Sequence, residues 1–280
     1  VDVLEDSGER RPGGGAFYSA LQAARLGLRA LIITQGHVAE LEELLAPYRG
    51  EVELRIFPAQ HTTTLATSGM GAGRRQRMLA WAGAIAEPLQ VDTEILHLAA
   101  VARETPADWR GNASFVGVTP QGLMRSWHTG GVTIGQADGE GIARDGTTRL
   151  VKLDAQLLPG RIDAVVVSEQ EHQFCGDAFD GVHDRHDRRC TVAVTAAGTP
   201  TQLQLPDGKS EYARTLTVAQ PRDDLGAGDV FAATFFIALS EGRAAVDAAL
   251  RGNTAAALRI AGSGPRAVAD LAAIERAQQR

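Results

Sequence analysis

The chain has 280 residues, 44% apolar and 22% charged, with a formal net charge of −6. That acidic balance excludes a general nucleic-acid binder, and the lack of any run of about 18 apolar residues excludes a helical membrane span. Two cysteines, Cys175 and Cys190, suit a reducing cytoplasm better than a disulfide framework. The apolar content suffices for a sizeable core in one undivided α/β domain over 1–280. No signal peptide is visible, and the start at Val1 without a Met leaves room for residues upstream.

Residues 1–4 read as the end of a strand, and 16–26 as a helix closed by Gly27. A short apolar run at 29–34 predicts a buried strand, followed by a helix over 39–46 stopped by Pro47. Residues 51–57 and 62–67 alternate or are rich in β-branched side chains, as strands are. Further strands are expected at 95–99, 114–118, 164–168 and 191–195. The last two each lead to the polar edge where open α/β sheets bind ligands. The stretch 129–148 holds six glycines among mostly polar residues. It lacks a strand–Gly-loop–helix context, so it reads as a surface excursion or hairpin rather than a phosphate loop. Residues 202–205 and 214–218 flank Pro206-Asp207-Gly208, a hairpin signal. After Gly226 the chain is helical, broken at Gly242 and at Gly262-Ser263-Gly264-Pro265. Strands alternating with helices imply a mostly parallel sheet covered on both faces.

The segment Asp223-Asp224-Leu225-Gly226-Ala227-Gly228-Asp229 carries the most chemistry. A Gly-Ala-Gly turn opening an apolar helix points unpaired N–H groups at the positive end of the helix dipole, a site for phosphate. Asp229 would repel that anion, so its place needs a reason. It can take the proton from a hydroxyl attacking the phosphate. Anion hole and base together are the minimum apparatus for phosphoryl transfer to an alcohol. The four letters Gly-Ala-Gly-Asp alone are equally compatible with an ordinary helix start carrying a first-turn Asp.

The wider segment resembles the C-terminal signature of the ribokinase-like (PfkB) carbohydrate kinases, and Pro12-Gly13-Gly14-Gly15-Ala16 resembles that family's N-terminal glycine pair and first helix. The two come in the family's order and the resemblance covers most of the chain. It implies a ribokinase-like fold with a small, reduced β lid from segments near 4–12 and 50–80. It also implies ATP and Mg²⁺ as cofactors, a small sugar, cyclitol or nucleoside as partner, no nucleic acid or membrane, and a cytoplasmic monomer or homodimer. Residue by residue, Asp229 becomes the base and Gly226, Ala227 and Gly228 the anion hole. Asp2, Gly13, Gly14 and Tyr18 fall at the acceptor site, where Tyr18 replaces a frequent Asn. Asp2 has an exposed strand-end Asp as its alternative reading. Glu171, in Ser168-Glu169-Gln170-Glu171, resembles the Asn-x-x-Glu element that organises Mg²⁺; a first-turn Glu complementing the helix dipole is the other reading. Thr195 and Gly198 resemble a nucleotide-contacting turn, with Ala197 where Gly is usual. Asn253 resembles a residue lining the adenine pocket, or is a polar residue on an exposed face. Asp224 replaces an uncharged residue, an unfavourable charge near a triphosphate unless it faces solvent or helps bind a cation.

Cys175, His183, His186 and Cys190 lack zinc-site spacing and are interleaved with arginines, against a metal cluster. Gly73-Arg74-Arg75-Gln76-Arg77 reads as a strand or lid edge beside the acceptor. With His61-Thr62-Thr63-Thr64 and Val101-Ala102-Arg103-Glu104 it resembles a bacterial subgroup similar to myo-inositol kinases, which makes a cyclitol a candidate acceptor. Two other classes compete. One is a binding protein that kept the fold without turnover, motivated by the departures at Ser168, Ala197 and Asp224. The other is a dinucleotide-dependent oxidoreductase, against which the segment after Gly13 lacks a third glycine.

Overall fold

The computed structural model describes residues 1–86, 90–105, 109, 111–129, 132–134 and 145–279. The chain opens with β1 (Asp2–Leu4) and β2 (Arg10–Arg11) and enters α1 (Gly15–Arg25) through Gly14 at φ +86°. Gly27, at φ +91°, ends α1 as a Schellman cap: its N–H reaches Ala24 and the Leu28 N–H reaches Ala23. β3 (Ala30–Gly36), α2 (Val38–Leu45) and β4 (Val52–Pro58) follow, with a short 3-10 turn carrying Pro47 after α2. β5 (Thr64–Ser68) and β6 (Arg75–Ala80) are joined through a turn at Gly71–Gly73.

The second half contains β7 (Thr93–Leu98), β8 (Ala113–Val118), β9 (Arg125–Thr129), β10 (Val132–Ile134) and β11 (Arg149–Leu150). β9 and β10, at the start of the glycine-rich stretch, pair antiparallel; its residues 130, 131 and 135–144 lie outside the described residues. Then come β12 (Ala164–Ser168), α3 (Glu169–His172) and β13 (Thr191–Thr195). The hairpin β14 (Thr201–Gln204) and β15 (Ser210–Ala213) leads to α4 (Ala227–Ser240), α5 (Ala245–Ala261) and α6 (Leu271–Gln278). The hairpin's second strand starts four residues before the expected 214–218. The Gly208 N–H bonds the Leu205 carbonyl at 2.9 Å with φ +83°, so the turn closes at once and pairing resumes at Ser210.

Six strands form the main sheet in the order β15-β14-β13-β12-β8-β7, parallel from β13 to β7 and antiparallel at the hairpin end. β1, β2, β5 and β6 form a four-stranded sheet, β9 to β11 a three-stranded one, and β3 pairs with β4. β12 and β13 are apolar on both faces because both faces are covered. Val165, Val167, Val192 and Val194 pack on one side with Leu153, Ile162 and Cys175. On the other side, Phe115, Val166 and Ala193 meet Phe231, Phe235 and Phe236 of α4. Each of those fully buried rings contributes about 1.5–3 kcal/mol. α4 comes so close to β8 that a Cβ on Gly117 would sit 2.4 Å from the Phe236 ring. This packing fixes the N-terminus of α4 beside α1, whose Phe17, Tyr18 and Leu21 share a third cluster with Val230. Among the described residues no helix is long and apolar enough to cross a membrane.

Candidate active site

Gly226 caps α4 in the left-handed conformation at φ +77°, and a Cβ there would lie 2.3 Å from the Tyr18 ring. Glycine is therefore required twice over, by backbone and by packing. The Ala227 N–H turns back to the Asp224 carbonyl at 3.2 Å. The Gly226, Gly228 and Asp229 N–H groups have no partner among the described residues and form the open end of the helix. Of the three residues expected to make the anion hole, Ala227 is thus the one whose donor is already engaged.

Asp229 sits in the first turn of α4, partly buried. Its Oδ1 lies 3.0 Å from where a Gly15 Cβ would be, so the starts of α1 and α4 meet at this carboxylate. Burial pushes its carboxyl up to about 6; the Glu171 and Asp2 charges add to that, while Arg125 and Arg74 oppose it. Asp2, only 5% exposed, comes from β1. A Cβ on Gly13 would fall 1.8 Å from its Oδ2, so only glycine lets the chain pass this carboxylate. Burial raises the Asp2 carboxyl as well, against the Val1 amino group and Arg125, Arg11 and Arg74. Neither carboxylate accepts a hydrogen bond from the described residues. Both line a cleft of about 130 Å³ together with Gly13, Gly14, Arg74 and Arg125.

Tyr18 borders this cleft but is fully buried beneath Gly226. Its hydroxyl faces Arg259 Nη2 at 3.4 Å, and burial pushes its pKa up to about 12. Arg259 and Arg11 both hold Asp223, at 2.9 and 3.0 Å. Burial alone would raise the Asp223 carboxyl, but hydrogen bonds from Gly264, Arg259 and Leu225 outweigh it and hold it down to about 2. Asp224 is partly exposed and already has a cationic partner in the protein. Its carboxylate is ion-paired with Arg74 and accepts the Gly71 N–H at 2.7 Å, which ties the β5–β6 turn to the start of α4.

Arg125, 5% exposed, is a functional candidate that sequence reasoning missed. Three neutral oxygens hold its guanidinium: Val101 O at 2.8 Å, Gln76 Oε1 at 2.5 Å and Gln121 Oε1 at 2.8 Å. No carboxylate pairs with it among the described residues. Gln121 passes the chain of hydrogen bonds on to Glu171 Oε1 at 2.5 Å. Gln76 lay in the basic patch already noted, whereas Arg125 and Gln121 come from a strand and a 3-10 turn with no pattern of their own.

Glu171 lies at the carboxyl end of β12, 7% exposed. It forms a capping box: Ser168 N–H donates to its Oε2 at 2.8 Å and its own N–H donates to Ser168 Oγ at 3.2 Å. The Ser-x-x-Glu spacing is the signal for that box. Both Glu171 oxygens keep lone pairs for water, so the residue fits a hydrated Mg²⁺ as an outer-sphere acceptor. Among the described residues no three His, Cys, Asp or Glu side chains cluster to ligate a metal directly. Thr195 pairs in register with Ser168 at the same sheet edge, its hydroxyl on the Val167 carbonyl at 3.3 Å, and Gly198 occupies the exposed turn beyond at φ +78°. Asn253 is not on an exposed face. It is 7% exposed, accepts from Thr201 at 2.9 Å and donates to the Arg214 carbonyl at 3.0 Å. Its amide braces α5 against the hairpin.

No family model and no curated protein matches the sequence. Solved structures do match in fold. A pyrophosphate-dependent myo-inositol-1 kinase aligns over 100% of this chain and 96% of its own at 14% identity, TM-score 0.70. Arabidopsis thaliana ribokinase, solved with ribose and ATP, aligns over 98% and 89% at 16% identity, TM-score 0.67. Vibrio cholerae fructokinase, with fructose, ADP and calcium bound, aligns over 99% and 95% at 18% identity, TM-score 0.68. The chain has the ribokinase fold.

Proposed function

We propose that this protein transfers a phosphoryl group from ATP to a hydroxyl of a small sugar, polyol or cyclitol. The observation that carries the reading is the pair Asp2 and Asp229. These are two cleft carboxylates without protein hydrogen bonds, one of them raised to about 6 and sitting beside unpaired N–H groups at the start of α4. Carboxylates left free in this way are hydroxyl acceptors. Asp2, backed by Gly13 and Gly14, orients the acceptor. Asp229 takes the proton of the attacking hydroxyl, and its raised pKa suits a base working near neutral pH. The Gly226 and Gly228 N–H groups, with the dipole of α4, stabilise charge on the transferred group. Arg125 supplies fixed positive charge felt by both carboxylates. Glu171 would hold Mg²⁺ through water, and the ion would neutralise donor phosphates when bound. Thr195 and Gly198 lie on the donor side. A nucleoside acceptor is the alternative within the same fold.

Pyrophosphate as donor is a second reading. Asn253, the residue expected to meet adenine, has its amide consumed by Thr201 and the hairpin carbonyls, and one neighbour in fold is a pyrophosphate-dependent kinase. Phosphorus NMR of the protein with Mg²⁺, either donor, and myo-inositol, ribose, fructose or inosine tests both. A new phosphomonoester signal with one donor identifies it. Binding without turnover for every combination would leave a catalytically silent sugar- or nucleotide-binding protein.

A further inference from the structure

Arg74 stands at the end of the β5–β6 turn, 26% exposed at its side chain, and lines the cleft beside Gly226 and Asp229. Its Nε is buried without a partner, and its Nη2 carries the ion pair with Asp224. The turn that presents it is firmly specified: Gly69 at φ +70° has no room for a Cβ against the Gly73 carbonyl, and Gly71 at φ +55° donates its N–H to Asp224. Arg125, the other arginine lining the cleft among the described residues, and the arginines around Asp223 are committed. Arg125 is held by three neutral oxygens, and Arg11 and Arg259 by Asp223.

Asp224 poses an electrostatic problem. It lies two positions before Gly226, where the anion-accepting turn begins, and an uncompensated carboxylate there would repel a phosphate. Arg74 resolves it and has donors to spare, since a guanidinium carries five N–H groups in a fixed fork. We propose that Arg74 is a phosphate-binding residue for the donor, presented by the β5–β6 turn and held over the start of α4 by Asp224. The inference rests on the kinase reading above. Arg74 keeps Asp224 on one side and offers its remaining N–H groups to the phosphate, so a residue from the β5–β6 turn completes a site otherwise built by α4.

Calorimetric titration of the whole chain with inorganic pyrophosphate and with a non-hydrolysable ATP analogue, at fixed ionic strength, tests it. Arg74→Met weakens binding of the recognised donor by about tenfold or more, the loss of charge-assisted hydrogen bonds. Arg74→Lys also binds more weakly than wild type, because an ammonium cannot bridge carboxylate and phosphate as the fork does. Adding Asp224→Asn to Arg74→Met recovers part of the loss by removing the exposed repulsive charge. Full recovery to wild-type affinity would reduce Arg74 to a counter-ion of Asp224 and overturn the proposal, as would undiminished binding by Arg74→Met. If wild-type protein binds neither probe, the kinase reading fails and takes this inference with it.

Discussion

Asp223 and Asp229 lie six residues apart on either side of one turn, and they are used in opposite ways. Asp223 is saturated: Arg11, Arg259, Gly264 N–H and Leu225 N–H all converge on it, and its carboxyl is held down to about 2. Asp229 accepts nothing from the described residues, and its carboxyl is pushed up to about 6. The first carboxylate welds the loop before α4 to the arginine of α5 and the backbone after it. The second is kept in a poor environment for a charge. A protein gains stability from carboxylates it satisfies and reactivity from those it leaves wanting.

The largest expected effect breaks the unsatisfied side. Asp229→Asn lowers kcat by about 10²–10⁴, the usual contribution of a positioned base, with donor affinity nearly intact. Stopped and steady-state assays with the donor and acceptor found by the NMR screen check it, and near wild-type turnover removes Asp229 from the mechanism.

Breaking the satisfied side costs stability instead. Asp223→Ala strands Arg259, which is 0% exposed, and should cost about 3–5 kcal/mol in urea unfolding. A loss below about 1 kcal/mol would mean the convergence on Asp223 is decorative.

Asp2→Ala sharpens the contrast within the cleft. It should lower acceptor kcat/KM by at least about tenfold while leaving donor affinity alone. Loss of donor binding with acceptor binding kept would reverse the two ends of the site.

The two carboxylates also differ in sign against pH. The folded Asp229 carboxyl sits above the unfolded value of about 3.9, so the native state holds the extra proton and this group's contribution to stability declines as pH rises from about 4 through 6. Asp229→Asn should therefore gain about 1–2 kcal/mol at pH 7 even as it loses activity, and wild-type kcat/KM should fall as pH drops below about 6. Asp223 works the other way: its stabilisation is complete above about pH 4 and disappears as pH falls through about 2. Denaturation series at several pH values separate them. Equal and same-signed shifts in the two variants would erase the distinction drawn here.

Much of the fold was legible because it depends on local pattern. β12 and β13 are unbroken apolar runs, and their expected bounds, 164–168 and 191–195, coincide with the strands. Gly27 ends α1 and Gly226 starts α4, both at positive φ, a backbone that glycine adopts without strain. β6 was expected only as a strand or lid edge around residues 74–77, and β9 and β11 were not expected at all, because Arg125–Thr129 and Arg149–Leu150 carry charges in place of an apolar alternation; they are strands through pairing with β5 and with one another. Within the site, the sequence marked Asp229, Asp2 and Glu171 as chemical groups.

The partners of those groups were decided by tertiary structure alone. Asp224 meets Gly71 across 153 positions, Arg125 meets Gln76 across 49, and Gln121 meets Glu171 across 50. The same holds for Asn253, whose amide turned inward to the hairpin, and for Tyr18, whose ring slid under Gly226. The sequence determined which residues form helix, strand and turn, because periodicity and glycine conformation act over a few residues. Which carboxylates are satisfied and which are left reactive depends on long-range packing and burial, and a one-dimensional pattern holds no record of either.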